Sequence, residues 1–181
     1  MMSHLGAMLS PVVGGTWAAR RSDDGAVGLA VIGDGGSSTG DFHETINLAA
    51  VRRVPVLFVV ENNEYAFSTP IAEQFLCERI SDRAAGYGIE GMCIDGTDVW
   101  TVYDSVCGLL DSMLDSKLPA ILECRTLRLS GHAAYDKAEY VSKDEWERWA
   151  HDEPVAKARG QLLDSGLLDE NGVGALEQEI E

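Results

Sequence analysis

The sequence predicts an α/β fold, a parallel sheet with helices on both faces, and three observations carry that expectation. Two apolar runs, AVGLAVIG (26–33) and PVLFVVE (55–61), show no polar alternation, the pattern of strands shielded on both sides. Segments of helical periodicity separate the runs, and strand–helix–strand order implies right-handed crossovers between parallel strands. Glycine, aspartate and asparagine cluster just after the runs, where open α/β sheets bind their ligands.

The elements follow in order. Ser10 and Pro11 read as an N-cap and first-turn proline ahead of the helix PVVGGTWAARR, whose Gly14, Gly15, Ala18 and Ala19 permit close packing. SDDG (22–25) is a turn before the first strand. In TGDFHETINLAAVRR (39–53), Phe42, Ile46, Ala49 and Ala50 share a helical face and the last turn is basic. After the second strand, SDRAAGYG (81–88) ends a helix at a glycine C-cap, Gly86 or Gly88. IEGMCID (89–95) is a third strand, 98–114 an amphipathic helix and PAILECRTLRL (119–129) a fourth strand. Residues 130–141 read as loop. Ser142 and Glu145 form a capping box, and the tail from Pro154 is helical with interruptions at Gly166 and Gly172. One domain over 1–181, with a helical carboxyl-terminal tail from about 143, accommodates all of this.

Composition narrows the function. The chain has 181 residues, of which 45% are apolar and 24% charged, enough for a core. Fourteen Lys and Arg stand against thirty Asp and Glu, a formal charge of −16. That argues against nucleic-acid or anionic-membrane binding, because phosphates would be repelled broadly. No window is long enough to span a bilayer, and MMSHLGAMLS lacks a basic start and a long apolar core, so a cytoplasmic location is expected. Cys77, Cys93, Cys107 and Cys124 have no CxxC spacing and read as buried thiols in a reducing compartment.

The chemistry concentrates between residues 31 and 65. Asp34 stands between Gly33 and Gly35 where the first strand ends, and the amides of Gly35 and Gly36 can approach an anion closely. The following helix starts near Thr39 and turns its positive end to the same place. Asn63 lies just past the second strand. If the two strands are neighbours, Asp34 and Asn63 offer one anionic and one neutral oxygen at one edge. Magnesium takes about six oxygens, commonly some from phosphates, so the pattern points to a diphosphate held through a divalent metal. Asp-Gly and Asn-Asn are also ordinary turn sequences, and either alone is weak evidence.

The stretch GDG followed by NN resembles the thiamine-diphosphate motif. More narrowly, GDGGSSTGDFHETINLAAVRRVPVLFVVENNEYAFSTP resembles the alpha subunit of the decarboxylating component of 2-oxo acid dehydrogenases, the pyruvate, branched-chain and acetoin type. The likeness runs from about Gly6 to the last helices, with DGTDV and RLSGH in family order. It implies Mg²⁺ on Asp34, the Asn63 side-chain oxygen and the Tyr65 backbone carbonyl, with Gly35 and Gly36 at the diphosphate. Arg128 and His132 match the family's arginine and histidine near the reactive end of the cofactor, His132 with a hydrogen-bond or proton role. His43 and Glu44 are expected to be structural, and Phe67–Pro70 to shape an interface or a substrate channel. The resemblance implies oxidative decarboxylation of a 2-oxo acid and acyl transfer to the lipoyl group of an acyltransferase, with a beta subunit as partner in an alpha₂beta₂ assembly or a homodimer.

Two departures matter. Family alpha subunits carry a substantial amino-terminal portion ahead of this stretch, and the glutamate that activates the cofactor's aminopyrimidine comes from the beta subunit. Alone, the chain is expected to bind metal and diphosphate weakly and not to turn over. Ala133 replaces the serine that often follows the family histidine, so phosphorylation there is not expected, whereas Asp136 matches. The rivals are a transketolase-type enzyme, against which FHETINLAAVRR speaks, and a non-catalytic assembly or interaction module of the same fold. A nicotinamide-binding domain fits poorly, because GDGGSS lacks the GxGxxG spacing.

Overall fold

The computed structural model describes residues 5–23 and 25–180. In chain order the elements are α1 (Leu9–Ala19), β1 (Gly28–Gly33), α2 (Gly40–Arg52), β2 (Val56–Asn62), β3 (Tyr65–Ala66) and β4 (Thr69–Pro70). There follow α3 (Ala84–Tyr87), β5 (Glu90–Asp95), α4 (Val99–Ser116), β6 (Ala120–Arg125), α5 (Lys143–His151), α6 (Pro154–Asp164) and α7 (Glu170–Ile180). The four long strands form one sheet in the order β1-β2-β6-β5, every pair parallel, so the expected α/β fold is present. β3 and β4 make a separate antiparallel hairpin just beyond the tip of β2.

Two apolar layers hold the sheet. On one face Phe42, Ile46 and Ala49 of α2 and Leu9 and Val13 of α1 pack on Ala30, Ile32, Val56, Phe58, Val60 and Ile121. On the other, Leu109 and Met113 of α4 pack on Leu57, Ala120, Leu122 and Cys124. The i, i+4 and i, i+3 spacing along α2 and α4 places these residues on one stripe of each helix, as the sequence predicts.

Several boundaries differ from the sequence expectation for identifiable reasons. β1 is not covered on both sides. It is the terminal strand, and α4 contacts β2, β6 and β5 instead, which leaves Leu29 and Val31 61% and 53% exposed. α1 begins at Leu9 with Met8 at its N-cap and no side-chain cap, so Ser10 sits inside the first turn. The 81–88 helix is a 3-10 turn (Ile80–Arg83) continued by the single turn of α3, which ends at Gly88 with φ 69°. β6 stops at Arg125, four residues short of the expected end. Gly166 does break the tail, with φ 70°, but Gly172 lies within α7. Ser142 and Glu145 form the expected capping box on α5. Asp23 closes the Ser22–Gly25 turn by accepting from the Gly25 amide, and Asp24 lies outside the described residues. Of the thiols only Cys124 is buried, and Cys107 is exposed. Among the described residues no helix is long and apolar enough to cross a membrane.

Two outcomes follow. Phe42→Ala removes a fully buried ring and lowers the urea-unfolding free energy by about 3–5 kcal/mol. Burial pushes the Cys124 thiol up to about 11, so thiol-directed alkylation of the native chain at neutral pH modifies Cys107 and spares Cys124 until denaturant is added.

Candidate functional site

The strand register brings the two polar tips together. Gly33 pairs with Glu61, and the Asp34 amide donates to the Glu61 carbonyl at 3.1 Å. Asp34 and the Asn62–Asn63 pair therefore leave neighbouring strands at one edge. Asp34 opens a 3-10 turn (Gly35–Ser38) and does not lead directly into the helix. Ser37 closes that turn by donating from its amide and its hydroxyl to the Asp34 carbonyl. Thr39 then caps α2, its hydroxyl oxygen accepting from the Phe42 amide.

The Asp34 side chain is only 2% exposed. Gln74, just past the β3–β4 hairpin, donates from Nε2 to Asp34 Oδ2 at 2.8 Å and to the Thr69 carbonyl at 3.1 Å. Burial raises the Asp34 carboxyl above the ordinary aspartate range, against the opposing pull of Gln74, the Asp34 and Gly35 amides and the Arg128 charge. The glycines are explained by packing. A Cβ on Gly35 would lie 2.6 Å from Ala66 Cβ, and one on Gly36 would lie 2.6 Å from Ile32 Cγ1. The hairpin thus lies directly over the glycine turn.

Asn63 makes a local turn, its Oδ1 accepting from the Tyr65 amide at 3.3 Å. Glu64 between them has φ 70° and takes Arg125 and Arg148 on its carboxylate at 3.2 and 2.7 Å. Tyr65 is buried among Tyr140, Val141 and Trp149, and its hydroxyl donates to Glu145 Oε1 at 3.0 Å. The loop strand that could offer the Tyr65 carbonyl is therefore held by the 130–141 loop and α5.

Arg128 crosses from that loop to the hairpin. Its NH2 group donates to the Phe67 carbonyl and the Tyr140 hydroxyl, while Nε and NH1 are buried with no acceptor on the protein. Buried donors without partners are costly, and an anion would satisfy them. Nearby, the His132 ring meets the Phe67 ring edge-on at 4.9 Å. Asp136 organises the loop by accepting from the His132 and Ala138 amides and the Tyr140 hydroxyl, which hold its carboxyl below the ordinary range. Gly131 is required there, since a Cβ would fall 1.9 Å from the Asp136 carbonyl oxygen. A cavity of about 420 Å³ opens between the hairpin and this loop, lined by Phe67, Ser68, Tyr135, Asp136 and Tyr140.

All the sequence-selected residues thus lie on one edge, on three loops that touch. The DGTDV turn, on the same edge, has its carboxylates engaged within the chain: Asp95 binds Thr97 and Lys157, and Asp98 caps α4 and binds Gln161. His43 is structural in its contacts, its Nδ1 meeting the Tyr87 hydroxyl and tying α2 to α3. Sequence reading missed Gln74, for which there is no local signal, and Glu123. The latter had one, a carboxylate inside the apolar run AILEC, where burial demands partners.

Oxygen donors of these kinds are the ones a hard cation takes, and here Asp34 Oδ2 is engaged by Gln74 and Asn63 Oδ1 by the Tyr65 amide. No group of three or more His, Cys, Asp or Glu side chains able to hold a metal occurs among the described residues. One carboxylate, one amide oxygen and one backbone carbonyl leave coordination positions for phosphate and water, as magnesium prefers. The unmatched Arg128 donors suit the anion.

The burial of Asp34 has a measurable consequence. A carboxyl whose proton is bound more tightly in the native state loses native stability as pH rises from the ordinary aspartate range through the raised value. Asp34→Asn keeps an acceptor for Gln74 and removes that penalty. Its urea midpoint is expected to exceed wild type at neutral pH and to converge with it in acid.

Comparison with known proteins bears on what this edge is for. The family model described as "Dehydrogenase E1 component" matches residues 2–181. The chain is 37% identical over 168 residues to the 3-methyl-2-oxobutanoate dehydrogenase subunit alpha of Mycobacterium tuberculosis. It is 35% identical over 169 residues to the pyruvate dehydrogenase E1 component subunit alpha of Staphylococcus aureus. Each alignment takes in 92% of this chain and 46% of the relative, so the chain spans about half the length of the curated relatives it matches.

Proposed function

Since this chain belongs to the dehydrogenase E1 component family, we propose that it is the metal- and diphosphate-holding portion of an alpha subunit of a 2-oxo acid dehydrogenase. In this reading Asp34, the Asn63 side-chain oxygen and the Tyr65 carbonyl hold Mg²⁺, and Arg128 with the Gly35–Gly36 turn receives the diphosphate of thiamine diphosphate. The observation that supports it most is the side-by-side placement of the two strand tips, fixed by the hydrogen bond from the Asp34 amide to the Glu61 carbonyl.

When bound, thiamine diphosphate supplies the nucleophilic carbon and the electron sink for decarboxylation of a 2-oxo acid. The chain supplies position and charge. Asp34 brings the only formal negative charge to the cation, and burial strengthens that attraction. Arg128 offers Nε and NH1 to phosphate oxygens, neutralising charge that the acidic chain as a whole would repel. His132, whose ring lies against Phe67, would offer a ring nitrogen to donate a hydrogen bond or a proton to the substrate. A beta subunit would contribute the glutamate facing the aminopyrimidine, and a lipoyl acyltransferase would receive the acyl unit. The assembly would be cytoplasmic.

A second reading is a catalytically incomplete assembly module, and one observation favours it: Leu29 and Val31 leave an apolar strip on β1 uncovered. Titration calorimetry with thiamine diphosphate and Mg²⁺ decides between the readings, on the chain alone and with a beta subunit. The expected result is saturable binding in at least one state, weakened about tenfold or more in Asp34→Asn or Asn63→Ala. Absence of binding in both states supports the module.

A further inference from the structure

Glu123 lies in the middle of the sheet, 1% exposed, and has no place in the cofactor reading above. Its two carboxylate oxygens are used separately. Oε1 accepts from Asn62 Nδ2 at 2.7 Å, and Oε2 accepts from the Ser81 amide at 2.8 Å. The Asn62 bond fixes which way that amide faces, because Asn62 Oδ1 in turn accepts from the Glu64 amide at 3.1 Å. With the nitrogen committed to Glu123, the oxygen is aimed at the turn that carries Asn63 and Tyr65. The Ser81 bond extends the brace. Ser81 belongs to the 3-10 turn Ile80–Arg83, and Arg83 of that turn donates from NH1 to the Ser37 carbonyl at 2.7 Å and to Ser37 Oγ at 3.2 Å. Ser37 closes the turn that Asp34 opens. One buried carboxylate therefore connects the second strand tip to the first through a chain of hydrogen-bonded steps.

A carboxylate there has a chemical reason. Both groups facing it are N–H donors, so the site needs an acceptor on each oxygen, and a buried polar group left unmatched costs stability. An apolar residue would fill the volume without orienting the Asn62 amide. Glutamine would satisfy Ser81 with its oxygen and present a second –NH₂ to Asn62.

We propose that Glu123 is a positioning residue, which sets the conformation of the Asn62–Tyr65 turn through the Asn62 amide. The function assigned to that turn rests on the cofactor reading, but the brace itself does not.

The test exploits the donor–acceptor order. Glu123→Gln places donor against donor at Asn62. Asn62→Asp places two carboxylates together. The double variant Glu123→Gln/Asn62→Asp restores every bond and reverses the polarity of the one between positions 123 and 62: the introduced glutamine donates from Nε2 to the introduced aspartate and accepts from the Ser81 amide, and the other aspartate oxygen still accepts from the Glu64 amide. Backbone hydrogen exchange is read at Glu64 and Tyr65, with Phe58 and Val60 in the core of β2 as reference. In either single variant, exchange at Glu64 and Tyr65 is expected to rise about tenfold or more relative to the reference, and the double variant is expected to return it near wild type. Equal acceleration at all four amides, no change in Glu123→Gln, or failure of the double variant to rescue would each overturn the proposal. Calorimetry on the same proteins keeps the two ideas apart. If Asp34→Asn and wild type bind thiamine diphosphate with Mg²⁺ alike while the exchange pattern holds, the cofactor reading fails and the positioning role stands.

Discussion

The pairing of β1 with β2 is the constraint on which the candidate site rests. Six residues of β1 run in parallel register against β2, and the ladder continues one step further, from the Asp34 amide to the Glu61 carbonyl. Because side chains alternate along strands, a one-residue slip would turn Ala30 and Ile32 outward and Leu29 and Val31 into the α1–α2 layer. The glycine turn and the asparagine turn would then no longer end at the same height. The apolar layer under α1 and α2 thus fixes, at some distance, where a carboxylate and an amide can meet.

Upon that register sit two further layers of control. The β3–β4 hairpin folds back over the glycine turn, with Ala66 in the space a Gly35 side chain would need and Gln74 on the Asp34 carboxylate. Above it, Tyr65, Tyr140, Trp146 and Trp149 form a small aromatic core that joins the hairpin to α5. The ion pairs of Glu64 with Arg125 and Arg148 lie at its margin, half open to solvent, and add little beyond about 1 kcal/mol each. The aromatic contacts and the Tyr65–Glu145 hydrogen bond matter more for holding the loop.

Much of this was legible in the sequence because it is governed by local pattern. The apolar runs gave the strands, the spacing of Phe42, Ile46 and Ala49 gave the buried face of α2, and the Ser142–Glu145 pair marked the start of α5. What failed depended on non-local facts. That β1 ends the sheet cannot be read from AVGLAVIG, since its apolar run looks the same with or without a cover. The GDG pattern likewise does not show that Ala66 and Ile32 pack where side chains at Gly35 and Gly36 would lie. Gln74 and the destination of the Glu123 carboxylate were hidden for the same reason: each meets its partner across forty or more residues of chain.

The place of Trp149 has a practical consequence. Its indole stands edge-on to the Tyr65 ring, with centroids 6.1 Å apart, in a site only 3% exposed, and Trp146 is its neighbour. Indole emission depends on local polarity and on nearby quenching groups. A shift of the segment that carries the Tyr65 carbonyl would therefore change the light emitted by the chain, giving it a native optical probe of the Asn62–Tyr65 turn.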